Sequence, residues 1–280
     1  MWTEPGDSFP GLGRVLKYVN IIGTSIQGAL AYRVNFFVRA SVNLVPLLAT
    51  VSLWQAIYRG GKEVISGYTL AQMIFYYILA TIVDALTAVT EDDWQVAADI
   101  KDGQISQILV KPIDYVAYRL CLFLSGRLVY TAAALLPVVG FVFLNREYLV
   151  APPDLVTFLV FLVSVALSAL LQFYLCYITA LLAFWVLEIS TLMFILLAFE
   201  RIASGQMFPL DILPAPLAQF MSWLPFAYQS YFPIAVYMGR LSGLALWQGF
   251  AIQVMWVVIL HGVARWVWSR GLRSYTAVGG

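Results

Sequence analysis

Residues 97–114, AADIKDGQISQILVKPID, are a short charged stretch set between long apolar runs. From Gln104 onward, Ile105, Ile108 and Leu109 recur at i, i+3 and i+4, while Gln104, Gln107 and Lys111 fall on the opposite side of a helix. Pro112, which has no N–H to donate and a fixed φ, stops the pattern. A helix of this kind, held between two apolar segments, gives a partner protein something to push on.

Working outward, composition sets the class. Of 280 residues, 62% are hydrophobic, 15% aromatic and 11% charged, against about 25% charged in soluble domains. Such a chain belongs in lipid. The net charge of +1 gives no global field for nucleic acid, so no nucleic-acid partner is expected and the basic residues matter by position. The opening MWTEPGDSFPGLG has no basic end followed by an apolar core, so a cleavable signal peptide is not expected. Cys121 and Cys176 lie in apolar runs and read as packing residues, because a buried free cysteine behaves as a small hydrophobe.

A membrane span needs about 20 predominantly apolar residues. Residues 34–58, 68–90, 119–144 and 243–266 each supply one. Between Asp154 and Glu200 the only charge is Glu188, and that length is about twice the hydrocarbon thickness of about 30 Å. It must fold back, and a turn near Phe184–Glu188 divides it into spans at 155–183 and 189–204. Ahead of the first span, Leu12, Val15, Leu16, Val19, Ile22 and Ile26 repeat at helical spacing, which predicts an interfacial helix over 12–32 on the inner leaflet. With the amino terminus inside, eleven of the sixteen basic residues sit on the inner side: Arg14, Lys17, Arg33, Arg39, Lys101, Lys111, Arg119, Arg127, Arg265, Arg270 and Arg273. Both termini and the 97–114 segment are therefore expected in the cytoplasm.

The stretch 205–233 carries five of the twelve prolines, Pro209, Pro214, Pro216, Pro225 and Pro233, yet stays apolar and aromatic. Irregular backbone at membrane depth needs cover from protein or a water-filled cavity. Short re-entrant helices at the outer face, beginning at Gly205, meet both conditions. The expected fold is an all-α integral membrane protein in one domain, with six spans, the inner interfacial helix, a cytoplasmic helix between spans two and three, and the re-entrant segment between spans five and six.

Chemical motifs are sparse. No G-x-x-x-x-G-K-[ST] phosphate loop occurs, and the nearest fragment, Gly60-Gly61-Lys62-Glu63, lacks the leading glycine and the hydroxyl residue. His261 has no second ligand type beside it, so no metal is expected. No catalytic constellation stands out. Charges within spans are costly and are paired or functional. Arg39 and Asp84 lie at similar depth on antiparallel spans, which predicts an ion pair that is either structural or a substrate contact. The aromatic residues Phe75, Tyr76, Tyr77, Phe173, Tyr174, Tyr177, Phe184 and Trp185 either line a path for amphiphilic or ring-bearing molecules or serve as packing and anchors.

The order of parts resembles the permease subunit of type-two ATP-binding-cassette exporters. Asp99, Ile100, Gly103, Lys111 and Pro112 are similar to the inner-loop signature of a bacterial branch of that family. Phe184, Trp185, Glu188, Gly205, Pro209, Leu210, Pro214, Leu224, Pro225 and Phe226 are similar to its later pattern. The resemblance implies a bacterial inner-membrane permease paired with a second permease chain, identical or related. It implies a separate nucleotide-binding ATPase subunit that holds the ATP and Mg, so this chain binds no cofactor. It further implies a coupling helix docked on that ATPase through Asp99, Ile100, Gly103, Gln104, Ile105, Gln107, Ile108 and Lys111, and an outer gate at Gly205, Pro209, Pro214, Pro216 and Pro225. An ion-coupled secondary carrier is the alternative, but that class shows broken helices in both halves, and here the break occurs once. A membrane-embedded enzyme or assembly factor would need a polar catalytic cluster or a large soluble surface.

Overall fold

The computed structural model describes residues 18–27, 42, 44–61, 63–87, 91–186 and 188–275, with residues 91–94 described by backbone alone. Among the described residues the chain is helical, and its only strand-like pairing is an isolated bridge between Ile65 and Tyr68. The helices are α1 (Leu44–Arg59), α2 (Leu70–Thr87), α3 (Glu91–Lys101), α4 (Ile105–Leu109), α5 (Tyr115–Leu144), α6 (Leu155–Leu181), α7 (Ser190–Ala203), α8 (Ala215–Trp223), α9 (Tyr231–Tyr237) and α10 (Gly243–Ser274). Residues 18–27 are helical as well; the rest of the 12–32 segment lies outside the described residues.

Among the described residues four helices are long and apolar enough to cross a membrane: α2, α5, α6 with its tight extension to Phe184, and α10. Two of the six expected spans are not among them. Most of 34–43 lies outside the described residues, which leaves 16 residues in α1. The 189–204 segment forms the 14-residue α7, about 21 Å long at about 1.5 Å per residue and short of the hydrocarbon core of about 30 Å.

Local chemistry fixes the helix starts. The Asp114 carboxylate accepts the Ala117 N–H at 3.0 Å, and Asp154 accepts that of Thr157 at 2.7 Å, so each caps orphan donors at the first turn of α5 or α6. Helix α6 is the centre of the bundle, packed against α10, α9, α3 and α2. In lipid, burying leucine against leucine gains little over leaving it in hydrocarbon, so close packing and polar contacts select the arrangement. Gln253 of α10, fully buried, supplies such a contact: its Nε2 donates to the carbonyls of Ser164 and Tyr228, both at 2.9 Å, while the Ser164 hydroxyl donates to its Oε1 at 2.9 Å. Two α10 glycines, Gly249 and Gly271, leave room for Phe232 and Phe184, whose rings occupy the space a Cβ would need.

After α7 the chain runs along α2 in irregular backbone. Tyr76 donates to the Gly205 carbonyl at 2.6 Å and Tyr77 to that of Met207 at 2.8 Å, both from the middle of α2. Gly205 has φ +79, and a Cβ there would lie 2.8 Å from the Tyr231 Cβ and 3.0 Å from the Tyr76 hydroxyl. A tight turn Leu210–Ile212, α8, a second tight turn Pro225–Tyr228 and α9 follow. The Tyr231 N–H then donates to the Ser204 carbonyl at 2.8 Å, so the excursion closes where it began.

Candidate functional site

One corner of the fold, expected on the inner side, is built from α3, α4 and the start of α5. Gly103, at φ +72, takes the left-handed turn that lets α4 fold back on α3. Asp99 is buried: its Oδ2 lies 3.5 Å from the Arg119 guanidinium and accepts from the Tyr115 hydroxyl at 3.1 Å, while its Oδ1 accepts from Gln95 at 3.1 Å. Tyr115 in turn stacks on Trp268 of α10 with ring centroids 4.6 Å apart. Asp114 pairs with Arg265, also on α10. Partial burial pushes the Asp114 carboxyl up, but the Ala117 N–H and the Arg265 guanidinium together outweigh that and hold it below the usual carboxylate range. At the turn between α6 and α7, the Ser190 hydroxyl and N–H pull the exposed Glu188 carboxyl down in the same direction.

The predicted docking residues divide. Ile100 and Ile105 are buried, Asp99 faces inward, and Ile108 and Gly103 are half-covered. Ile105 is therefore part of the protein's own core and is not open to a partner. The reason is that helical spacing separates two faces without saying which one the rest of the chain covers. Gln104, Gln107 and Lys111 are exposed, and so are Leu109 and Val110, the latter 84% exposed, the largest value among the exposed bulky apolar side chains.

A cavity of about 330 Å³ opens between α1, α2, α5 and the end of α7. Leu47 and Thr50 line it from α1, Tyr77, Thr81 and Asp84 from α2, Tyr130 and Ala134 from α5, and Arg201, Gln206 and Met207 from α7 and the backbone after it. The Gln206 amide donates to the Asp84 Oδ1 at 2.5 Å. Arg39, the expected partner of Asp84, lies outside the described residues. Of the eight aromatic residues named for a pathway, Tyr77 lines this cavity. Phe75, Tyr76, Phe173, Tyr174 and Tyr177 are all buried in the protomer's interior, with Phe173 stacked on Tyr177 at 5.5 Å and Tyr174 hydrogen-bonded to His261 at 2.9 Å. Here they pack against neighbouring side chains, while Tyr77 and Tyr130 border the cavity.

In the irregular segment after α7, Asp211 collects three partners. Tyr68 donates to its Oδ2 at 2.7 Å, Tyr231 to its Oδ1 at 2.5 Å, and Arg240 approaches at 3.2 Å. Arg240 also lies over the Tyr68 ring at 3.8 Å and donates to the carbonyls of Gly67 and Ser66 at 3.1 and 3.2 Å. This clamp ties the α1–α2 connection to the 205–240 segment. Of the predicted gate residues, Gly205, Pro209 and Pro225 are buried, whereas Pro214 and Pro216 are exposed at the start of α8. Sequence reasoning missed the clamp, although one signal was present: Asp211 is the only carboxylate after Glu200. Among the described residues no cluster of three or more His, Cys, Asp or Glu could hold a metal.

The sequence profile described as ABC-2 family transporter protein matches residues 44–279. No curated protein matches the chain.

Proposed function

The chain belongs to the ABC-2 transporter family, and from that premise we propose that it is the permease subunit of an exporter for an amphiphilic or hydrophobic molecule, driven by ATP hydrolysed on a separate subunit. As a member of that family it is a multi-pass membrane protein with a transport role and an ATP-binding partner. Beyond that, the proposal puts it in the bacterial inner membrane with both termini in the cytoplasm, six spans, and a second permease chain across the α1, α2, α5 and α7 face. The cavity with Asp84, Arg201 and Gln206 would then contribute to the pathway. The 205–233 segment would dip in from the outer face and return.

The inner corner carries the coupling part of this reading. It exposes Leu109 and Val110 at its tip and anchors its root through Asp99, Tyr115 and Asp114. An apolar tip on a braced root suits the transfer of force from a partner. The ATPase would dock on Leu109 and Val110 at the tip, with ATP and Mg held entirely on its own side.

A cysteine at Val110, in a background without Cys121 and Cys176, should cross-link to the co-expressed ATPase. Leu109→Asp together with Val110→Asp should uncouple ATP hydrolysis from transport while leaving the protein in the membrane. Normal transport by that double variant would overturn the docking assignment. For topology, Gln219→Cys in the same background should react with an impermeant thiol reagent outside intact cells. Labelling only from the inner face would overturn the re-entrant reading.

A further inference from the structure

A second cavity, of about 410 Å³, lies between residues 18–27, α3, α4 and the start of α5. Apart from Ile108 and Leu122 its lining is polar: Ser25, Gln104, Gln107, Lys111, Tyr118 and Arg119 all border it. Its single carboxylate is that of Asp99, whose two oxygens meet Gln95, Tyr115 and Arg119. Lys111 therefore gives the lining a net positive charge, and the amides and hydroxyls around it are donors. The Asp114 N–H reaches the Tyr18 hydroxyl at 3.4 Å, which seats the 18–27 helix against the corner and closes one side of the cleft.

Its depth says what meets it. Asp114, at the end of the corner, pairs with Arg265 of α10, and on the same helix Arg270 lies 5.7 Å from the centre of the ring of Trp266, itself 60% exposed, an aromatic and basic pair of the kind found where a protein meets lipid head groups. A cleft with net positive charge and several donors at that level suits a group with several acceptor oxygens and a negative charge. It is too polar for an acyl chain. We propose that this cleft binds the phosphate head group of an anionic phospholipid of the inner leaflet, held by Lys111, Arg119 and the amides of Gln104 and Gln107. The bound lipid would join the amino-terminal helix to the corner. This inference needs the membrane placement but not the docking of an ATPase.

The test uses the purified full chain in a neutral detergent with no ATPase, so its outcome is independent of the Val110 cross-link. Native mass spectrometry is run with phosphatidylglycerol, with phosphatidylcholine, and with phosphatidylglycerol in the presence of millimolar inorganic phosphate. The chain should retain phosphatidylglycerol in preference to phosphatidylcholine. Lys111→Gln should weaken that retention about fivefold, the factor for one basic residue at an anionic surface. Gln107→Glu, at an exposed position that does not disturb the core, should weaken it as well. Equal retention of phosphatidylcholine, or retention unchanged in both variants, would overturn the proposal. So would displacement of the lipid by inorganic phosphate, which would assign the cleft to a soluble anion.

Discussion

Replacing Asp99 with alanine should loosen the inner corner without unfolding the bundle. An exposed ion pair contributes at most about 1 kcal/mol, but the Asp99 and Arg119 side chains are each only 7% exposed. At that burial, truncating one member costs about 3 to 5 kcal/mol. The hydrogen bonds from Tyr115 and Gln95 end on the same carboxylate, so their loss is contained in that figure and does not add to it. The effect should be measured as resistance to SDS unfolding of the purified protein for Asp99→Ala, Arg119→Leu and the double variant. The double variant should recover at least about 1 kcal/mol relative to the sum of the single losses, since contacting residues are not additive. Limited trypsin digestion supplies a local readout. Lys101 is exposed at the end of α3, whereas Lys111 is followed by Pro112 and is a poor trypsin site. Cleavage after Lys101 should be faster in Asp99→Ala than in the wild type. Strict additivity with unchanged cleavage would refute the view that Asp99 braces the corner.

Three further outcomes follow from the geometry. Gly205→Ala should cost about 1 to 2 kcal/mol for the left-handed conformation alone, and more because its Cβ would lie 2.8 Å from that of Tyr231; a wild-type melting temperature would contradict this. Gln253→Leu removes the donor shared by the Ser164 and Tyr228 carbonyls and should lower stability by about 0.6 to 1.7 kcal/mol, the range for polar contacts between membrane helices, read by SDS unfolding. Asp114→Asn keeps the helix cap but loses the charge facing Arg265; because the folded carboxyl titrates below its ordinary range, its contribution is present at neutral pH and lost as the pH falls through that lowered value. Wild type and Asp114→Asn should therefore differ slightly at pH 7, by less than about 1 kcal/mol for so exposed a pair, and converge in acid; a difference that grew in acid would reverse the assignment.

The membrane class, the long apolar helices and the broken character of 205–233 could be read from composition and proline spacing alone. The family resemblance rested on the same residues that the 44–279 profile spans. What could not be read was which side of each helix is covered. The i, i+3, i+4 pattern of Ile105, Ile108 and Leu109 is real, but Ile105 packs into the protein's own core and Leu109 does not. The aromatic residues of α2 show the same gap: Tyr76 and Tyr77 are both buried, yet only Tyr77 borders the cavity. Long-range partners were equally hidden. Gln206 reaches Asp84 only because α7 stops short and turns at Gly205, an event with no periodic signature. Asp211 finds Tyr68, Tyr231 and Arg240 from three separate parts of the chain, and only its isolation as a carboxylate hinted at it.

The two attachments of the inner corner go to different helices. Asp99 reaches Arg119 on α5, while Tyr115 and Asp114, at the mouth of α5, hold Trp268 and Arg265 on α10. A hinge would need one side of this joint to yield, yet both are fastened to the same turn of backbone. Only the short stretch 111–113 separates Val110 from Asp114, so in the proposed coupling role a displacement at Val110 would act on α5 and α10 together. Because Gln253 pins α10 to α6, the body acted on would include the centre of the bundle.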